Sequence, residues 1–305
     1  MARYIVKRVF SAIITLWFVL TITFLLMHAI PGDPFTSERQ MDPKVKEAVY
    51  AKYGFDKPLY VQYFKYVGNF LKGDFGASYK KIGVDVADII EDGFPYSLKV
   101  GIWASLMVIV VGIPFGVVAA LHQNGIFDRI AMILATLGAT IPSFVIATGF
   151  LYIFSRQLGW VPAFGVRSWT GYIGPTISLG VFSLSYITRL TRTSLLEVLQ
   201  QDYIRTARAK GLSESVVIWK HGLRNAMIPI VTYLGPMIAG ITTGSFVVEK
   251  VFAIPGIGQL FTTSITDRDY TVIMGITMFY SLLLVVSVIF VDILYVLVDP
   301  RIKFD

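Results

Sequence analysis

The sequence predicts an all-α integral membrane protein with six transmembrane helices and both termini in the cytoplasm. Three observations carry this expectation: a surplus of apolar residues, six apolar runs of spanning length, and an uneven distribution of Lys and Arg between the short loops. Of the 305 residues, 55% are hydrophobic and 15% charged, where soluble domains hold about 45–50% and about 25%. A surplus of that size needs lipid to cover it.

The apolar runs are residues 9–30, 96–121, 130–154, 173–190, 227–248 and 272–298. A hydrocarbon core about 30 Å thick takes about 20 helical residues. Backbone polar groups must be paired within a segment that crosses lipid, and these runs lack the alternation of barrel strands, which leaves helices.

The first run follows Arg3, Lys7 and Arg8 and so has the charge pattern of a secretory signal. It is longer than the 7–15 residues or so of a signal's apolar region and has no small-x-small cleavage site near Met27 and Ala29, so we read it as a retained first span. Residues 31–94 then form an extracytoplasmic segment with nine Lys or Arg against ten Asp or Glu. Gly32, Pro34, Pro43, Pro58, Gly73 and Gly76 divide it into pieces, of which residues 45–53 and 60–71 are amphipathic and predict short surface helices. Residues 95–305 hold the other five spans, with a long cytoplasmic segment at 193–225.

Orientation follows from the short loops. Arg3, Lys7, Arg8, Arg129, Arg301, Lys303 and seven more basic residues between Arg189 and Arg224 fall on one side, against Arg156, Arg167, Lys250 and Arg268 on the other. The positive-inside rule makes the first side cytoplasmic. Within the spans, Gly112 and Gly116, Ala135 and Ala139, and Gly240 and Gly244 set small residues four apart, a spacing that lets helices approach closely. Pro114, Pro142, Pro175 and Pro236 mark where spans are expected to bend.

Several function classes are excluded or weakened. The net charge of +7 resides in loops between apolar runs rather than along a groove, which argues against nucleic acid as a partner. There is no cysteine, and no Gly-Lys dipeptide from which a phosphate-binding loop is built, so any ATP is hydrolysed by another subunit. His28, His122 and His221 lack neighbours at metal-ligand spacing, and no Gly-x-Ser-x-Gly occurs, so neither a metal site nor a catalytic residue is expected. An ion-coupled secondary transporter needs charged coupling residues at mid-membrane, where only Asp292 and Lys99 qualify. Asp292, in the sixth run, is read as having a structural or gating role.

Residues 193–225 are patterned rather than slack. Leu195, Leu196, Leu199 and Tyr203 recur at helical spacing, and Arg205, Arg208 and Lys210 gather toward the end, where cations complement the helix dipole. Gly211 supplies a C-terminal stop, and Ser213 with Glu214 starts a second helix. The expected product is a basic helix-turn-helix. Physics alone leaves two uses for it: lying on anionic headgroups, or docking a soluble partner.

The string Tyr203-Ile204-Arg205-Thr206-Ala207-Arg208-Ala209-Lys210-Gly211-Leu212, continued by Ser213, Glu214 and later Arg224-Asn225-Ala226 and Ile228-Pro229, resembles the coupling loop of ABC importer permeases. The general pattern of that family is Glu-Ala-Ala, three residues, then Gly. Here Arg205 and Thr206 replace the first two, Ala207 and Gly211 fit, and the expected Leu-Pro reads Leu223-Arg224 with the proline at Pro229. These departures resemble the peptide-importer branch. So do Pro31-Gly32-Asp33-Pro34-Phe35, Tyr53-Gly54-Phe55-Asp56-Lys57-Pro58-Leu59, Gly73-Asp74-Phe75-Gly76-Ala77-Ser78, Ile254-Pro255-Gly256-Ile257-Gly258-Gln259-Leu260-Phe261 and Asp299-Pro300-Arg301, which resemble the B-type subunit of oligopeptide and dipeptide permeases.

The resemblance implies the permease fold of an ABC importer in a bacterial plasma membrane. It implies a second homologous permease, two ATP-hydrolysing subunits that hold ATP and Mg on the cytoplasmic face, and an extracytoplasmic binding protein that delivers peptide. No cofactor is implied for this chain itself. Tyr203, Arg205, Ala207, Arg208, Ala209, Lys210, Gly211, Leu212, Ser213 and Glu214 are the implied contacts with the ATPase. Residues 31–94 and 249–271, with Asp33, Asp74 or Asp267, are the expected contacts with the binding protein. Nickel and glutathione importers share the architecture and stand as alternatives for the cargo.

Overall fold

The structure, a computed structural model, describes residues 2–29, 47, 50, 51 and 54–298, with side chains described for 6–29, 47, 50, 51 and 54–289. In chain order the helices are α1 (Ala2–Ala29), α2 (Leu59–Leu71), α3 (Val86–Met107), α4 (Ile113–Leu121), α5 (Ile126–Thr140), α6 (Ser143–Phe150), α7 (Ile173–Leu199), α8 (Asp202–Ala209), α9 (Glu214–Val216), α10 (Arg224–Thr242), α11 (Phe246–Val251), α12 (Ile257–Asp267) and α13 (Tyr270–Val298). Wide π turns at Val108–Gly112 and Val217–Leu223 join α3 to α4 and α9 to α10, and another, Leu151–Gln157, extends α6.

The chain divides into two compact units. The first comprises Met1–Pro95 with Pro255–Val286 and Lys303–Asp305, and the second Tyr96–Ile254 with Ser287–Ile302. In the first unit, Val86, Ile89 and Ile90 of α3 pack on Ile257 of α12 and on Val272 and Ile276 of α13. Helix α3 thus begins at Val86, inside the 31–94 segment read as extracytoplasmic, where its apolar face has partners. The expected helix at 60–71 is α2, while that at 45–53 lies largely outside the described residues.

The resembling stretch at residues 73–78 falls in this unit, and its glycines have identifiable work. Gly73 and Gly76 take φ of +79° and +83°, and the Gly76 N–H donates to Asp74 Oδ1 at 2.8 Å, closing a tight turn. The turn hands on to Asp269, which is 2% exposed and stands just before α13. Its carboxylate accepts from the Ser78 hydroxyl, from Tyr79 N–H at 3.1 Å and from Thr271 Oγ1 at 3.0 Å. The carboxylate therefore staples residues 78–79 to the start of α13 and suits the positive end of that helix.

The second unit is built around α7, which packs against α4, α5, α6, α10 and α11. Its buried positions include Ser178, Ser183, Ser185, Thr188, Thr191 and Ser194. Small polar residues suit such a helix because their hydroxyls bond carbonyls one turn back, as Ser178 does to Gly174 and Thr188 to Leu184, both at 2.8 Å. Helix α4 comes close enough for Thr188 Oγ1 to reach the Gly112 carbonyl at 3.2 Å. A Cβ on Gly116 would stand 2.5 Å from Thr191 Cβ and 2.6 Å from the Thr188 carbonyl oxygen. Gly116→Val is therefore expected to destabilise the fold by about 1–3 kcal/mol through overpacking, read as a lower thermal midpoint, while a valine at the open Gly149 is expected to leave it unchanged. Among the described residues the Gly240 and Gly244 pair forms no such seam, since nothing lies within 4 Å of a Cβ on Gly240.

Among the described residues four helices are long and apolar enough to cross a membrane: Val6–Ala29, Val86–Leu121, Glu214–Val251 and Tyr270–Ile289. The run at 130–154 is not one straight span. It is Ile126–Thr140 and Ser143–Gln157 at 104° to each other, so the pair counts as one broken span or as a re-entrant loop. Pro142 is the cause, because a proline forces the preceding residue out of the helical region, and Ile141 is extended at φ −76°, ψ 124°. The run at 173–190 lies in α7, whose length suffices but whose composition is less apolar.

Candidate functional site

The site is built where α7 ends. The expected continuous helix through Tyr203 is interrupted: α7 stops at Leu199, Gln201 is extended at φ −71°, ψ 150°, and α8 restarts at Asp202. Asp202 occupies the first turn of α8, where its charge suits the helix N-terminus. Ile204 and Ala207 on the inner face of α8 pack on Val217 and Leu199, with Ile204 and Val217 fully buried. This small core holds the bend onto the end of α7.

The stop at Gly211 is as the sequence suggests, and its hydrogen bonds show why it is firm. The Gly211 N–H donates to the Arg208 carbonyl at 2.9 Å and the Leu212 N–H to the Ala207 carbonyl at 3.3 Å. These two bonds form a Schellman closure, which requires a left-handed residue, and Gly211 has φ +76°. Ser213 occupies the N-cap position of α9, but its side chain makes no capping hydrogen bond.

Glu214 instead reaches back across the turn. Arg208 Nη2 donates to Glu214 Oε1 at 2.6 Å and Arg208 Nε to Oε2 at 3.2 Å, a two-pronged clasp over the bend. The hydrogen bond to Glu214 holds the Arg208 guanidinium above its ordinary pKa, so it stays charged. The pair is exposed on both sides, so it shapes the loop more than it stabilises the protein, and salt screens it. Glu214→Gln is expected to leave the thermal midpoint unchanged and to speed hydrogen exchange at the Gly211 and Leu212 amides several-fold, a difference that disappears in molar salt. Equal exchange in low salt contradicts a clasp.

From α9 the wide turn Val217–Leu223 leads directly into α10, and Asn225 Nδ2 donates back to the Tyr203 hydroxyl at 2.7 Å. The bend is thus tied to α7 by its core and to α10 by chain continuity and this bond. Any displacement of the bend acts on two long helices together.

Of the ten expected contact residues, Ala207 faces inward, while Tyr203, Arg205, Arg208, Ala209, Lys210, Gly211, Leu212, Ser213 and Glu214 are exposed. Tyr203 at 43%, Leu212 at 41% and Trp219 at 59% exposure give the knob apolar tips among its cations. Asp292 lies on α13 where side chains are outside the described residues. Asp33 is likewise outside them, and Glu249, at the start of an expected outer contact segment, is in fact buried at 1% exposure. Among the described residues no cluster of His, Asp or Glu could hold a metal ion.

Sequence reasoning missed the ion pair beside the bend. Arg192 Nε donates to Asp128 Oδ1 at 2.5 Å and Arg192 Nη2 to Oδ2 at 2.7 Å, with Asp128 3% exposed. The Asn124 N–H adds a bond to Oδ2 at 2.8 Å, made from a left-handed residue at φ +62°. The pair fixes the turn between α4 and α5 against α7, two turns before the bend. A recess of about 470 Å³ separates this turn from the clasp, with His122, Leu196, Arg208 and Glu214 among its walls. Arg192 lies in the basic segment between Arg189 and Arg224, but nothing in the sequence pointed to Asp128 as its partner.

Comparison with known proteins places the chain in a family. The family described as "Binding-protein-dependent transport system inner membrane component" matches residues 112–304, and its N-terminal companion matches residues 1–101. The chain is 47% identical to the dipeptide transport system permease protein DppB of Bacillus subtilis, over 99% of this chain and 98% of that one. It is 44% identical to the oligopeptide transport system permease protein OppB of Haemophilus influenzae and 40% identical to that of Escherichia coli K12, in both cases over 100% of each chain. Among solved structures, the methionine ABC transporter MetNI in inward-facing conformations superposes with TM-scores of 0.55 and 0.58 at 17% identity, covering 69% of this chain and 96% of that one, which shows a shared fold. The chain is a multi-pass protein of the cell membrane and belongs to the family of binding-protein-dependent transport system inner membrane components.

Proposed function

We propose that the chain is the membrane-spanning permease subunit of an ABC importer for dipeptides or oligopeptides. The observation that carries this is the end-to-end likeness to relatives named as dipeptide and oligopeptide permeases. In the working assembly, a second homologous permease pairs with this chain and an extracytoplasmic binding protein delivers the peptide. Two partner subunits hold ATP and Mg. The bend at 203–214 seats against one of these ATPases.

The proposed mechanism is alternating access. ATP binds one state of the ATPase pair more tightly than the other, and only that difference in affinity drives the change. The exposed side chains of the bend receive the displacement, the Ile204, Ala207, Val217 and Leu199 core passes it to α7, and the turn into α10 passes it to a second helix. We also read α7 as a sixth span enclosed by protein, with both termini cytoplasmic.

Reconstitution of the complex in liposomes tests the reading. ATP-dependent uptake of labelled di- and tetrapeptides is expected, with the binding protein outside and ATP inside. Uptake of Ni²⁺ or glutathione in place of peptide overturns the cargo but keeps the importer, whereas ion-gradient-driven uptake without ATPases overturns both.

A further inference from the structure

The first unit contains a cavity of about 200 Å³ that the transport mechanism does not use. It opens at the far end of α1, and its wall carries the rings of Phe24, His28, Phe55, Tyr66, Phe75 and Tyr270. Two cations reach it. Lys57 and Lys65 both line it, and the Lys65 ammonium lies over the wall, 3.9 Å from where a Cβ on Gly54 would stand. Among the described residues neither lysine has a carboxylate within ion-pair distance. Asp74 is the acidic residue in the lining, and its Oδ1 already accepts from the Gly76 N–H.

A further group favours an anion. The Tyr66 hydroxyl is buried and makes no hydrogen bond, although a buried hydroxyl of this kind normally finds a partner. His28 Nδ1 lies 2.8 Å from the Phe24 carbonyl oxygen and Nε2 lies 3.3 Å from Gln62 Oε1, and the Gln62 amide nitrogen is held by the Lys57 carbonyl at 2.8 Å. Both ring nitrogens therefore lie within hydrogen-bond distance of oxygen atoms, which holds the ring in the wall. Burial, reinforced by Tyr79, pushes the Tyr66 phenol well above its ordinary pKa, so it is a neutral donor.

Position selects the kind of anion. Phe24 and His28 lie at the end of the apolar span Val6–Ala29, whose Leu25 and Leu26 are 51% and 56% exposed. Aromatic rings with lysines above them are the composition of a membrane interface. We propose that the cavity binds the phosphodiester headgroup of an anionic phospholipid from the leaflet opposite the N-terminus. Lys57, Lys65 and the Tyr66 hydroxyl hold the phosphate, and the ring-lined wall takes the glycerol and upper acyl chain.

The test is native mass spectrometry of the assembled importer in detergent, titrated with phosphatidylglycerol, phosphatidylcholine or inorganic phosphate. Phosphatidylglycerol is expected to form a saturable adduct on this subunit, weakened about tenfold or more in Lys57→Ala/Lys65→Ala and restored in Lys57→Arg/Lys65→Arg. Tyr66→Phe is expected to weaken it as well. A merely packed tyrosine predicts the opposite sign, since removing an unpaired buried hydroxyl leaves stability and lipid retention equal or better. Equal adducts in wild type and the double alanine variant overturn the site, and so does a cavity that retains only water. Competition by inorganic phosphate as effective as the lipid overturns the lipid source.

Discussion

Replacing Gly211 with valine or tryptophan is expected to abolish peptide uptake while the chain still inserts and assembles. Gly211 sits at φ +76° with nothing within 4 Å of where a Cβ would stand, so the damage comes from the backbone and not from a clash. A left-handed conformation disfavours an L side chain by about 1–2 kcal/mol, and β-branched residues more. The chain escapes by leaving that conformation, which breaks the bonds from Gly211 to Arg208 and from Leu212 to Ala207 and pulls Glu214 away from Arg208. Activity should therefore fall in the order Gly, Asn, Ala, Val, because asparagine tolerates the left-handed region best after glycine. The measurement is peptide transported per ATP hydrolysed in the reconstituted complex. Wild-type coupling in the valine variant removes the bend from the mechanism.

Arg192→Ala is expected to be more damaging to the fold than any change on the surface of the bend. It leaves Asp128 at 3% exposure with a charge and no guanidinium, and breaking a buried pair in this way destabilises by about 3–5 kcal/mol. Removing both charges, as in Asp128→Ala with Arg192→Met, is expected to recover much of that loss, since the remaining penalty is no longer a buried unpaired ion. Thermal denaturation of Asp128→Ala, Arg192→Met and the double variant gives the coupling energy. Simple additivity of the two single effects contradicts an interacting pair.

What the sequence made legible was set by the range of the forces involved. Gly211 and the Ser213 start were readable because a left-handed stop and a helix N-terminus are local requirements, and α2 was readable from its own apolar face. The break at Gln200 and Gln201 was not, since Leu195, Leu196, Leu199 and Tyr203 keep helical spacing across it; the bend is imposed by Ile204 and Val217 finding Leu199. Pro142 announced a bend, but its 104° sharpness depends on what surrounds the two halves. The early start of α3 depends on partners in α12 and α13, far away in the chain. Both important ion pairs were hidden for the same reason: Arg208 reads as a free cation for a partner and proves to be clasped by Glu214, while Arg192 and Asp128 are 64 positions apart. The apolar content of α7 fell short because it is enclosed by other helices.

The absence of cysteine offers a direct test of the central claim, that the bend at 203–214 is the contact with an ATPase. Lys210 is exposed at the end of α8 and takes no part in the clasp, so Lys210→Cys supplies a single reporter thiol. In the assembled complex that thiol is expected to crosslink to a cysteine placed in the ATPase surface cleft, with a yield that changes when ATP binds. Crosslinking to lipid or to no subunit, in a complex that still transports peptide, contradicts the account.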